Sequence, residues 1–437
     1  MSIENSSPVP SPSEISSPPS PPALPSNLNH QSPTQSPPDG GIEAWLQVFG
    51  AFMVFWNIWG LPMSFGAFQS FYVLQYLPDY SSSAISWIGT LQGALLIMLG
   101  VVSGPVYDLG HYHFLVYTGS FLTIFGMMML SLSTQYYQVF LSQGVCTGVG
   151  CGLLYVPTMS LVGGSFKHKR AIAMSVMTSG TALGGIIYTI IFSRLISQIG
   201  FPWTVRIIAF VSFSTFAMAL PALFIRPAKV SGRTRSLFDK TVFTDVPFLT
   251  FASAQFFIFL GYLVPLFYIP TYAQIALKEN KSVALYILIG CQAASLFGRL
   301  FASVPAHHFG VMFTWVTCCS VSSILCFVWI ATNTLAGFIV FSVLYGFFGG
   351  ALIALPPSIF PVLCPDPGTL GSRMGLSWTT SALSFLIGTP VAGAIINLQT
   401  ANFLGVQAWS GATLMVGTVL LLALWIMLSR SEGRIFI

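Results

Sequence analysis

From residue 43 onward the chain is an almost unbroken series of apolar runs. Each is close to the ~20 residues that a helix needs to cross a bilayer. Twelve can be delimited, at 44–70, 84–106, 114–133, 138–164, 171–196, 203–225, 247–274, 282–303, 311–332, 335–361, 373–397 and 404–428. Charge is too scarce for a water-soluble alternative: 6% of the 437 residues are Asp, Glu, Lys or Arg, against about 25% in soluble domains. The expected fold class is an all-α membrane protein with twelve transmembrane helices.

Residues 1–38 are a different material, with eleven Pro, eleven Ser and no Lys or Arg. Such a segment cannot bury a core and is expected to be a disordered cytoplasmic tail. It also lacks the basic and apolar regions of a signal peptide, so the first span must act as its own insertion signal. The longest connection, 226–246, carries Arg226, Lys229, Arg233, Arg235 and Lys240. This basic cytoplasmic linker divides the chain into six-helix bundles at 39–225 and 247–430, followed by a short cytoplasmic tail at 431–437. With the N-terminus inside, twelve of the sixteen Lys and Arg residues fall on the cytoplasmic side. The outer side holds four, Arg194, Arg206, Lys278 and Lys281. That bias predicts cytoplasmic termini and an even number of spans, which argues against a seven-helix receptor. A net charge of +5, scattered in this way, is not a nucleic-acid footprint. The seven cysteines lie in or beside apolar runs without CxxC or zinc-type spacing, so they read as small buried hydrophobes and imply no metal or cofactor.

The two halves repeat each other. Gln92, Pro105 and Gly110 return as Gln292, Pro305 and Gly310, displaced by 200 residues. Arg170 precedes Gly185 by fifteen residues, and Arg373 precedes Gly388 by the same fifteen, displaced by 203. Parallel six-helix repeats are the architecture of the major facilitator fold, with the substrate site between the halves near the bilayer midplane.

Local motifs carry a closer resemblance. Gly104-Pro105-Val106-Tyr107-Asp108-Leu109-Gly110 resembles the facilitator signature of Gly, three residues, Asp, one residue, Gly. Asp39-Gly40-Gly41 with Trp45 and Gly50-Ala51-Phe52 is similar to the motif that opens helix 1 of monocarboxylate transporters. The stretch from Ser165 through Lys167, Lys169 and Arg170 into Gly180 and Gly184-Gly185 resembles that family's second motif. Together with Ser86-Trp87-Ile88-Gly89 and the Ser/Pro-rich tail, these identify the chain as similar to fungal monocarboxylate porters of the major facilitator superfamily. The resemblance implies that Gly104, Asp108, Gly110, Arg170 and Arg373 gate the cytoplasmic side. Departures are as telling as matches. Met63 stands where the animal lactate carriers have a lysine, Ser295 where the family has an Asp, and His307 where the second loop would repeat Asp108.

Candidate substrate contacts are polar groups within apolar spans. Arg299 is a cation well inside the eighth span; an anion contact and a snorkelling anchor are both open readings. Asn57, Gln92 and Gln292 are mid-span amides suited to substrate or to cross-helix bonding, and Tyr345 offers an aromatic wall with a polar tip. Gly144, Gly148 and Gly152, like Gly180 and Gly184, recur at four-residue spacing that permits close helix packing. Asn280-Lys281-Ser282 is a sequon on the outer side, which makes Asn280 the candidate glycosylation site.

No carboxylate lies mid-membrane, so the proton relay of small-acid carriers is missing. The expectation is a secondary active transporter, not an enzyme, that moves a small organic acid or acidic secondary metabolite by alternating access. Efflux is favoured over the alternative, uptake of a monocarboxylate or vitamin-like nutrient. A channel or polytopic membrane enzyme is the reading from another class, and the paired histidines His111/His113 and His307/His308 are better explained by the repeat than by a metal. Partners would be a small-molecule substrate and the lipid bilayer, with a proton or counter-substrate as the coupling candidate and a monomer as the working unit. The plasma membrane is the expected location, with a vacuolar or other internal membrane as the alternative.

Overall fold

A computed structural model describes residues 41–166, 169–225, 242, 244–363 and 370–432. The predicted tail at 1–38, most of the 226–246 linker and residues 433–437 lie outside them, as does the Arg170 side chain. The described residues are almost wholly helical, with one isolated β-bridge between Asn397 and Asn402. In chain order the helical spans are α1 (Ile42–Tyr76), α2 (Ser82–Asp108), α3 (Tyr112–Leu130) and α4 (Tyr136–Ser165). A continuous helical stretch Arg170–Phe224 follows.

That 55-residue stretch reduces the helices long and apolar enough to cross a membrane to eleven among the described residues, against the twelve expected. Geometry restores the twelfth. Gly200 interrupts the helix with φ 75° and ψ 174°, a conformation open to glycine but strained for side chains with a Cβ. The Tyr188 hydroxyl lies 3.0 Å from the Ser212 hydroxyl, 24 residues away. In a straight helix those residues would be about 36 Å apart at 1.5 Å per residue. The chain therefore folds back on itself at Gly200, giving α5 (170–199) and α6 (201–224).

The remaining spans are α7 (Val246–Ile275), α8 (Lys281–Phe309), α9 (Val311–Ala331), α10 (Leu335–Ser358), α11 (Leu370–Ile395) and α12 (Leu404–Glu432). The first span runs farther than its expected end at residue 70, through a π-turn at Tyr72–Tyr76. Two phenols anchor that extension to α4 and to the turn before it. Tyr72 donates to Gln143 Oε1 at 2.7 Å, and Tyr76 donates to the Ser133 carbonyl at 2.6 Å.

Helices pack through glycines, and they do so twice. On α4, a Cβ at Gly144, Gly148 or Gly152 would press on the α2 backbone at Ile88, Gln92 and Leu95. On α10, Gly346 and Gly350 meet Cys291 and Ser295 of α8 in the same way. Gly180 and Gly184 of α5 lie against Phe52 and Trp56 of α1, while Gly388 of α11 lies against Leu260 of α7. Lipid tails are as apolar as side chains, so close backbone contact of this kind supplies much of the association energy in a membrane.

Candidate functional site

The region that matters is the seam between α1–α6 and α7–α12. At the end carrying the α1–α2 and α7–α8 turns, it is tightly joined. Ser83 of α2 donates to the Pro390 carbonyl of α11 at 2.8 Å, and Ser86 and Tyr268 of α7 share a hydrogen bond of 2.7 Å. Gln69 reinforces this by donating to the Ser86 hydroxyl at 3.0 Å. Beneath it, the rings of Phe65 and Phe267 stand 4.9 Å apart, and Gly66 lets α1 approach the Leu266 carbonyl. Two cations complete the closure in opposite senses. Lys281 reaches from α8 to the Phe71 ring of α1, 4.9 Å from its centroid, and to Gln75 at 3.5 Å. Arg194 reaches from α5 to the Tyr286 ring of α8, at 5.6 Å. Each such contact contributes about 0.5–1 kcal/mol at exposed sites and more when desolvated.

The predicted site residues divide by what they already bond to. Gln292 spans the seam: its Nε2 donates to the Met63 carbonyl of α1 at 2.8 Å, while its buried Oε1 has no hydrogen-bond partner. Gln92, its counterpart in the repeat, is fully enclosed with neither amide atom bonded. An unsatisfied buried amide costs about 1–3 kcal/mol, which a ligand or a changed packing would remove. Asn57 is engaged instead within the first half. It donates to the Thr215 hydroxyl at 2.8 Å and to the Met53 carbonyl, and it accepts from the Tyr188 hydroxyl at 2.5 Å. Tyr345 is likewise committed, donating to the Tyr262 carbonyl at 2.8 Å.

Arg299 is half-buried, its Nε is enclosed without a hydrogen-bond partner, and no carboxylate pairs with it among the described residues. Its polar neighbour is Tyr262 of α7. Tyr262 meets the Phe259 ring edge-to-face at 6.1 Å, and Phe259 in turn lies 5.3 Å from Phe385 and 6.3 Å from Trp378. The arrangement offers a cation and a phenol, with aromatic rings packed behind the phenol.

The gating candidates sit at the opposite ends of the helices. Gly104 lies on the last turns of α2, Asp108 is its buried final residue, and Gly110 turns the chain with φ 90°. Gly310 repeats that turn with φ 86°. Arg373 is buried, bonded to Asp245 at 2.5 Å and to the Leu363 carbonyl at 3.2 Å. Asp245 at the same time caps α7, accepting the Phe248 amide at 3.2 Å. One arginine thus ties together the start of α7, the segment after α10 and the start of α11. Asp245 had escaped the sequence reading, though the repeat held the signal: Glu43 and Arg170 stand 202 and 203 residues before Asp245 and Arg373. Tyr188, Thr215 and Tyr262 were missed as well. Asn280 is exposed and caps α8, accepting the Val283 amide at 2.9 Å. Among the described residues there is no grouping of His, Cys, Asp and Glu fit to hold a metal.

Comparison with known proteins agrees with this architecture. The model of the Major Facilitator Superfamily matches residues 44–336, and the chain belongs to that superfamily. It is a multi-pass membrane transporter. It is 38% identical to the MFS-type transporter dbaD of Emericella nidulans, over 86% of this chain and 85% of that one. It is 34% identical to the aspyridones efflux protein apdF of the same organism, over 92% and 82%, and 33% identical to the agnestins efflux protein AgnL12 of Paecilomyces divaricatus, over 86% of each. A crystal structure of the peptide transporter POT superposes with a TM-score of 0.69 at 14% identity, covering 90% of this chain and 97% of that one. At that identity the likeness concerns the fold.

Proposed function

We propose that the chain exports an acidic, largely apolar secondary metabolite by alternating access, with bundles 39–225 and 247–430 rocking about the seam. The observation that carries this reading is Arg299, a guanidinium with an unbonded Nε and no carboxylate partner among the described residues, set beside Tyr262, whose ring packs on Phe259. A charge in that setting is costly unless it meets a cavity or an anion, and guanidinium suits a carboxylate in a two-pronged contact. Met63 and Ser295, in place of the lysine and aspartate of small-acid carriers, fit a bulkier and less charged cargo than lactate. The printed names of the aspyridones and agnestins relatives support the outward direction.

The positive-inside count supports cytoplasmic termini and a seam closed on its outer face. The branch is the monocarboxylate porters, the working unit a monomer and the location the plasma membrane. Deleting the gene and measuring intracellular against secreted metabolites tests the direction; unchanged partitioning would sink export. Arg299→Gln, reconstituted in liposomes, should lower organic-anion counterflow by roughly tenfold or more while leaving the protein folded, since a lost charged contact is worth about 1.5–3 kcal/mol. Undiminished flux would remove Arg299 from the site.

A further inference from the structure

Helix α2 carries four glycines whose surroundings differ. A Cβ at Gly89 would overlap the Phe65 ring, one at Gly100 would lie 2.8 Å from Val156, and one at Gly104 would lie 3.6 Å from Val156. A Cβ at Gly93 would find no neighbour within 4 Å beyond its own stretch of helix, although the residue is buried. Gly93 therefore serves no close helix contact, and it borders an internal void.

Its position locates that void. Gly93 follows Ser86 by seven residues, so it shares the face that reaches Tyr268, about 10.5 Å farther along the helix axis. It follows Gly89 by four residues, one turn beyond the Phe65–Phe267 pair. The void therefore lies on the inner side of the closed seam, roofed by two aromatic rings. Arg299 relates to the seam in the same way, seven residues beyond the Gln292–Met63 bond. By the 200-residue correspondence Arg299 answers to Leu99, six residues past Gly93. Six residues are about 9 Å of depth along the helix axis at 1.5 Å per residue, comparable with the length of roughly two to three fused rings.

We infer that Gly93 is a specificity-determining position, whose missing side chain makes room for the fused-ring body of an acid held at Arg299. This rests on the transport reading above and adds the size class of the cargo.

The test uses the full chain in liposomes and three probes, benzoic acid, 2-naphthoic acid and anthracene-2-carboxylic acid. Wild type should carry the two larger acids. Gly93→Leu should lower their counterflow by roughly tenfold or more, the scale on which a filled pocket discriminates, and leave benzoate within about twofold. Gly93→Ala should fall between. Equal loss of all three probes, or of none, overturns the assignment. A separate readout guards against misfolding and against a wrong cargo. Gly93→Cys adds a side chain that the void accommodates, and peptide mass spectrometry after N-ethylmaleimide treatment reports whether residue 93 is alkylated. Alkylation supports a Gly93 facing the pathway, while an unreactive Cys at 93 in folded protein overturns it. If wild type carries none of the acids yet residue 93 is alkylated, the acidic cargo and the size class built on it fail and the position in the pathway stands.

Discussion

By packing, Gly388 answers to Gly184, one residue before the Gly185 that the 203-residue displacement matches: each brings a helix against the one that opens its half, at Trp56 and at Leu260. Around this matched packing the chemistry parts company. In the first half one buried polar cluster is neutral: Asn57, Tyr188, Ser212 and Thr215 share hydrogen bonds among α1, α5 and α6. The second half adds cations to its neutral bonds, with Arg299 beside Tyr262 and Arg373 bonded to Asp245 at the helix ends. Close backbone approach has few solutions, because any side chain added at either glycine runs into a carbonyl. Polar groups can change more freely, provided their partners change with them. The Asn57 cluster therefore forms a neutral wall, and Arg299 gives the second half a charge without a counterpart at Leu99.

The comparison can be broken at several levels. The largest effects belong to the shared frame: Gly184→Leu and Gly388→Leu should each abolish correctly folded protein, read as loss of the monomeric peak on gel filtration in detergent. If one is tolerated, the frames are not equivalent. Next comes the charged half. Arg373→Met leaves Asp245 without its buried partner and should cost about 3–5 kcal/mol, seen as a lower thermal midpoint. Asn57→Leu in the neutral half should cost less, about 1–3 kcal/mol, through unsatisfied Tyr188 and Thr215. A reversed order would put the structural burden on the neutral cluster.

Smaller effects test the two glutamines. Gln292→Met removes a cross-seam bond worth about 1 kcal/mol and should shift the conformational balance away from this state by about fivefold. Gln92→Met removes an amide with no bond in this state and should leave the balance unchanged or favour this state. Cysteine labelling from either side of a proteoliposome would distinguish the two. Smallest is Lys281→Gln, which loses the contact with Phe71, about 0.5–1 kcal/mol, and should open the seam slightly in the same assay.

How much of this was legible beforehand follows from what a bilayer demands. Spans must be long, apolar and helical because no water is present to satisfy the backbone, so their number and rough limits stand in the hydropathy of the chain. The glycine spacing on α4 and α5 was readable for the same reason, and each stripe lies against a neighbouring backbone. Partnerships were not readable. Tyr188 and Tyr262 are two of fifteen tyrosines, and nothing in an apolar run says which phenol faces Asn57 or Arg299. That depends on the rotation and register of helices far apart in the chain. Asp245 is the exception, since its spacing from Arg373 nearly repeats that of Glu43 from Arg170.

Gly200 bears on how the chain is made. Its reversal joins α5 and α6 without an intervening stretch outside helical structure, from Arg170 to Phe224. During synthesis these two crossings present themselves to the insertion machinery as one hydrophobic hairpin, with no hydrophilic segment to be moved across on its own. A tag or charged insertion at residue 200 would have to be carried through the membrane before the hairpin could close.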